Sequence, residues 1–185
     1  MLASASPRRA DLLAAAGFGF GVEPADVDER VLPGEDPVAH VARLASSKAQ
    51  AVAGRRPGAW VLGADTVVVV DGTILGKPAD DADAVRMLTL LSGRTHAVLT
   101  GVCVVRGSEA RSAVASTDVE FAVLAPAAIA WYVSTGEPRD KAGAYAIQGL
   151  ASRFVTRING SYSNVVGLPV SLVVTLLDAL EFPTI

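Results

Sequence analysis

Hydrophobic positions along the 185-residue chain change period several times, and each change marks an element. Pro7 to Ala16 places Leu12 and Leu13 among alanines, with Gly17 behind them. This predicts a short helix led by proline and stopped by glycine. Phe18 to Val22 alternates and is expected to be a short strand. Glu23 to Asp36 is acidic, broken by Pro24, Pro33 and Gly34, and is expected to be a loop. From Pro37 to Ala53, Val38, Val41, Leu44 and Ala45 recur at helical spacing, and Lys48 follows two turns after Val41.

The pattern then turns to near-continuous apolar runs. Trp60 to Ala64 is a buried type of strand that reaches Asp65, and Thr66 to Val70 continues it. Asp71-Gly72 is a hairpin turn signal, and Thr73 to Leu75 is the returning strand. Asp81 to Leu91 reads as a helix capped by Asp80 or Asp81 and closed by Ser92-Gly93-Arg94. Thr95 to Val105 and Ala113 to Leu124 are long Val- and Thr-rich strands that turn at Gly107. Pro126 to Ser134 is helical and carries Trp131 and Tyr132. Gly136 to Gly149 is glycine-rich, charged and without period, and is expected to be a functional loop. Phe154 to Ile158 reads as a strand, and Leu168 to Leu180 as a closing amphipathic helix. Strands and helices mix without strict alternation. A mixed, partly antiparallel sheet flanked by helices is therefore expected, in one domain over residues 1–185.

Composition narrows the function. Hydrophobic residues make up 51%, ample for a core, and the net charge of −3 argues against a nucleic-acid binder. No charged segment precedes an apolar one at the N-terminus, so no signal peptide is expected. The longest uncharged run, Ile158 to Leu177, holds Asn159, Gly160, Asn164, Gly167 and Pro169 and is too broken to span a bilayer. A cytoplasmic protein without membrane association follows as the expectation. Cys103 is the single cysteine and lies in an apolar run, which suits a buried structural thiol. His40 and His96 lack metal-ligand spacing and read as structural.

Candidate chemistry is concentrated in a few segments. Ser4, Ser6, Pro7, Arg8 and Arg9 crowd the step from an apolar start to the first helix. Ser6 suits an N-cap and Pro7 the first helical position, so free N–H groups there favour an anion. Arg8 and Arg9 offer forked donors to phosphate oxygens. Asp65 interrupts an apolar strand, where a carboxylate is paired, metal-bound, exposed at a cleft, or capping the next turn. Lys77 follows a hairpin as a point charge for phosphate or a plain surface lysine; Gly72 to Pro78 lacks Walker A spacing. Glu29 lies in an acidic loop, and with Asp65 it could hold a magnesium-like cation alongside phosphate oxygens. Gln148 offers a donor and an acceptor suited to a base edge, or serves its loop. No Ser-His-Asp signature or zinc spacing is present.

Taken in order, the segments resemble the Maf family of nucleoside triphosphate pyrophosphatases. They are Leu2 to Arg9, Gly63 to Val68, Gly76-Lys77-Pro78, Leu91 to His96, Thr100-Gly101-Val102, Asp140 to Gly149, Ile158 to Tyr162 and Gly167-Leu168-Pro169. The resemblance implies hydrolysis between the α- and β-phosphates to a monophosphate and pyrophosphate. It implies a divalent metal (Mg²⁺ or Mn²⁺), a homodimer, and an ITPase-like twisted sheet with two lobes around a central cleft. The family's proton acceptor falls on Asp65, as base or as metal ligand with Glu29. Its other polar site positions fall on Ser6, Arg9, Glu29, Lys48 and Lys77. Arg8, Thr66 and Gln148 match the pattern of the dTTP/UTP branch rather than the 7-methyl-GTP branch, with modified pyrimidine nucleotides as further substrates. A nucleotide-binding regulator of septum formation acting through a partner is the alternative. Ala146 stands where the family usually has glycine, and a positive φ there would strain the loop beside Gln148.

Overall fold

The computed structural model describes residues 1–183. It is a mixed α/β structure whose five-stranded sheet runs in the order β2-β1-β3-β4-β5. The strands are β1 (Val61–Val70), β2 (Thr73–Leu75), β3 (Thr95–Arg106), β4 (Glu109–Phe121) and β5 (Val155–Asn159). The helices are α1 (Pro7–Ala15), α2 (Pro37–Ala53), α3 (Asp81–Leu91), α4 (Pro126–Ser134), α5 (Tyr162–Val166) and α6 (Val170–Asp178). The β1–β2 and β4–β5 pairs are antiparallel. Two compact units divide the chain: Met1–Thr66, Thr100–Ala115 and the segment from Gly167 onward form the first, and Val67–Leu99 with Ser116–Val166 form the second.

In the first unit, strand alternation sorts side chains onto two faces. Leu62 and Ala64 of β1 and Val102 and Val104 of β3 pack with Leu13 of α1 and with Val173, Leu176 and Leu177 of α6. Val61, Cys103 and Val105 point the other way, onto Ala45, Ala49 and Val52 of α2. The same alternation puts Asp65 on the α2 face and Thr66 on the α1 face. Helix α2 forms where Asp36 Oδ1 accepts from Val38 N (2.9 Å) and Ala39 N (3.0 Å), with Pro37 at its first position. It lies very close to the sheet. A Cβ on Gly63 would sit 2.3 Å from Ala45 O, and one on Gly101 2.2 Å from Val41 O. Glycine at both positions is what lets α2 approach.

Two expectations change here. Phe18 to Val22 is not a strand: Val22 makes a single parallel bridge to Leu2, which also bridges Leu62. Only one short partner is offered, so β propensity has no ladder to join. Ser6 occupies the N-cap position of α1, but its side chain makes no capping bond; its own N–H donates to Ser4 Oγ (3.2 Å).

In the second unit, Asp71 (φ 48°) and Gly72 (φ 74°) make the tight turn between β1 and β2. Asp80 Oδ1 caps α3 by accepting from Asp83 N (2.8 Å), and α3 packs on α4. Phe121, Tyr145, Phe154, Tyr132 and His96 form an edge-to-face cluster. The expected loop from Gly136 to Gly149 is largely 3₁₀ turns, at Glu137–Asp140 and Ala142–Ala144, with a third at Leu150–Phe154. Positive φ falls on Gly143 (66°) and Ala144 (60°), while Ala146 is outside the positive-φ set, so the expected strain moves two residues upstream. Helix α5 was not foreseen. It is held by Asn164, fully buried, whose Nδ2 donates to Val98 O (3.0 Å) and Thr117 Oγ1 (3.0 Å). Among the described residues no helix is long and apolar enough to cross a membrane.

Candidate active site

The first unit gathers most of the candidate residues, and each face of β1 carries its own group. On the α2 face, Lys48 Nζ lies 2.7 Å from Asp65 Oδ1 and 2.6 Å from Glu29 Oε1. Lys48 and Asp65 are 7% and 8% exposed, whereas the Glu29 side chain is 53% exposed. A side chain of this kind is buried where it has partners, and here it has two. Lys48 stands one turn beyond Ala45, and Gly63 stands two residues before Asp65. The close approach of α2 at Gly63 thus brings the two charges into contact.

On the other face, Arg9 is held from three sides. Its Nε donates to Gly167 O (2.8 Å), one Nη to Ser4 Oγ (3.0 Å) and the other to Thr66 Oγ1 (3.1 Å). Thr66 Oγ1 also meets Thr100 Oγ1 at 2.9 Å. Burial pulls the Arg9 guanidinium below its ordinary pKa, and the field of Asp65 acts against that pull. It remains a cation. The sequence suggested that the Arg9 fork faces phosphate. Three of its five N–H donors fix its own orientation, which leaves two. Arg8 and Ser6, next to it, are half-buried at the start of α1.

Lys77 and Gln148 belong to the second unit. Lys77 is exposed just after β2, and its backbone is steadied by Gly143 N donating to Gly76 O (3.0 Å). Gln148 is exposed between buried Ile147 and half-buried Gly149. Asp140 pairs with its neighbour Lys141.

Three residues that shape these positions escaped the reading of the sequence: Thr100, Tyr132 and Glu137. In the sequence Thr100 falls within a motif, and Tyr132 reads as an aromatic on a helix. No spacing rule marks Glu137. Both histidines are structural, as expected: His40 Nδ1 meets Glu35 Oε2 (3.0 Å), and His96 Nε2 meets Tyr145 OH (2.9 Å). Cys103 is buried, and burial pushes its thiol up.

Among the described residues no group of three or more His, Cys, Asp or Glu is placed to hold a metal. Glu29 and Asp65 nevertheless converge on one point, the Lys48 ammonium. Two carboxylates suit a magnesium-type cation whose remaining ligands are water and substrate phosphate oxygens. The two carboxylates are donors of the kind such a cation takes, and the point they share is held by the Lys48 ammonium.

Fold and site define an α/β protein that carries buried cations and a carboxylate on the two faces of one strand. The Maf-like protein family model matches residues 1–180. A protein of Anaeromyxobacter dehalogenans named dTTP/UTP pyrophosphatase is 56% identical over 187 residues, covering 99% of this chain and 94% of that one. Proteins of the same name from Symbiobacterium thermophilum and Myxococcus xanthus are 54% and 51% identical, each over 183 residues, covering 99% of this chain and 94% and 93% of theirs. The chain belongs to the Maf family.

Proposed function

We propose that this chain hydrolyses dTTP and UTP between the α- and β-phosphates, releasing a nucleoside monophosphate and pyrophosphate. The observation that carries the reading is the Glu29–Lys48–Asp65 cluster, in a chain more than half identical to proteins named for that activity. A triphosphate needs positive charge at fixed positions, and hydrolysis needs a carboxylate beside it.

Asp65 has the catalytic role. Lys48 binds Oδ1 and keeps the carboxylate oriented, and Asp65 positions the attacking water and accepts its proton. Arg9, held rigid by Ser4, Thr66 and Gly167, presents its remaining donors to phosphate. Thr66 acts through Arg9, because its hydroxyl is already committed to Arg9 and Thr100. Arg8, Ser6 and Lys77 add donors and charge for phosphate, and the exposed Gln148 amide reads the base edge. Glu29 and Asp65 would hold a divalent cation, Mg²⁺ or Mn²⁺. Bound there, it would supply Lewis-acid stabilisation of phosphate charge. Residues 1–185 act as one catalytic domain, in a cytoplasmic homodimer. No observation favours the alternative of a regulator acting through a partner.

The test is product identification. The purified chain is incubated with Mg²⁺ or Mn²⁺ and a panel of nucleoside triphosphates. Monophosphate plus pyrophosphate, formed fastest from dTTP and UTP, is the expected result. Release of inorganic phosphate and a nucleoside diphosphate, or fastest turnover of 7-methyl-GTP, would overturn it.

A further inference from the structure

Gln148 is exposed, yet the backbone on both sides of it is tied down by two side chains. Ala146 N, two residues before it, donates to Tyr132 OH (3.2 Å). Leu150 N, two residues after it, donates to Glu137 Oε2 (3.0 Å), and Ala151 N donates to Glu137 Oε1 (3.3 Å). The two anchors are joined, since Tyr132 OH donates to Glu137 Oε1 (2.8 Å). Gly149 N closes the turn onto Ala146 O (3.0 Å).

The anchors are themselves immobilised. Tyr132 is fully buried on α4 and packs edge-on against Phe154 at 5.2 Å. Burial and the neighbouring carboxylate push its phenol up, so it stays a donor. Glu137 begins the 3₁₀ turn after α4. Its carboxylate comes so near the chain that a Cβ on Gly149 would sit 2.3 Å from Oε2. Any other residue at 149 would push the carboxylate away.

A carboxylate that accepts two backbone N–H groups and a phenol makes a rigid frame. Here the frame spans the segment that presents one exposed amide. We propose that Tyr132 and Glu137 are positioning residues that set the aim of the Gln148 amide at the substrate base, and so carry part of the selectivity for thymine and uracil nucleotides. This rests on the reading above that Gln148 contacts the base. Neither Tyr132 nor Glu137 need touch substrate. A frame that fixes the backbone carrying an amide limits where that amide can reach, and so bears on whether two hydrogen bonds to a base edge form together.

The experiment compares Tyr132→Phe, Gly149→Ala and Gln148→Ala with the unsubstituted chain. The readouts are kcat and KM for dTTP, UTP, CTP and GTP, equilibrium binding of the same nucleotides, and circular dichroism for folding. Tyr132→Phe removes one atom from a well-packed ring. Gly149→Ala is the second probe, because its added methyl meets the Glu137 carboxylate and not backbone, and so displaces the anchor directly. Both variants are expected to lower kcat/KM for dTTP and UTP about tenfold, through KM, and to leave CTP and GTP within about twofold. Gln148→Ala should flatten the same preference. A preference that flattens in Gln148→Ala but persists in both other variants, or a uniform loss across all four nucleotides, would overturn the positioning role and leave the base-reading role standing. An unchanged profile in Gln148→Ala would overturn both.

Discussion

The two units handle polar chemistry in opposite ways. The first buries Lys48, Asp65 and Arg9 and gives each a partner: Lys48 meets Asp65 and the more exposed Glu29, and Arg9 meets Ser4, Thr66 and the Gly167 carbonyl. The second leaves its candidates, Lys77 and Gln148, exposed on turns and fixes the backbone beneath them. Where it does bury an ionisable ring, at His96, the ring is uncharged. Charges that polarise phosphate and water gain strength from low dielectric, so burial suits them. Groups that meet a variable part of a ligand need access, and their precision comes from the chain that carries them.

Removing Lys48 strikes hardest at the first arrangement. Lys48→Met leaves Asp65 buried without its partner and should cost about 4 kcal/mol of stability by urea denaturation. A loss below about 0.5 kcal/mol would mean that the pair behaves as a surface ion pair.

His96 sharpens the contrast. Burial pushes its imidazole down to about 4 from 6.5, and its Nδ1 has no partner among the described residues. Between those values the unfolded chain binds a proton that the folded chain does not. Stability from this group is therefore full above pH 6.5 and falls as pH drops toward 4. The loss between pH 7 and pH 5 should be about 2 kcal/mol, and His96→Phe should remove that part of the pH dependence. An unchanged pH dependence in the variant would show that the buried ring is not its source.

The smallest effect belongs to the exposed group. Lys77→Ala should change stability by less than about 0.5 kcal/mol, while weakening triphosphate binding in a salt-dependent way. A larger loss of stability would break the division between the two units.

Much of this architecture could be read from the chain. The bounds of α2, α3 and α4 follow from local signals, Asp36-Pro37, Asp80 and Pro126, that act within one turn. The β1–β2 hairpin was legible for the same reason, since Asp71-Gly72 states its own turn. Phe18 to Val22 misled because a strand needs a partner, and Leu2 supplies one bridge. Helix α5 stayed hidden because five residues have no period, and it is held by a distant bond from Asn164 to Val98. Asp65 could be singled out as a carboxylate in an apolar run. Its contact with Lys48 could not, because it depends on how closely Gly63 and Gly101 let α2 approach. Lys48 enters as a site residue through the family pattern, whereas Glu29 is already offered by its acidic loop.

The most direct measurement pairs turnover with binding in Asp65→Asn. The substitution keeps the shape of the side chain and removes the charge that meets Lys48. Titration of dTTP, followed by chromatography of products in the presence of Mg²⁺, should show kcat reduced by about 10³-fold and nucleotide affinity within a few-fold of the unsubstituted chain. Turnover close to that of the unsubstituted chain would contradict the assignment of Asp65 as the catalytic carboxylate.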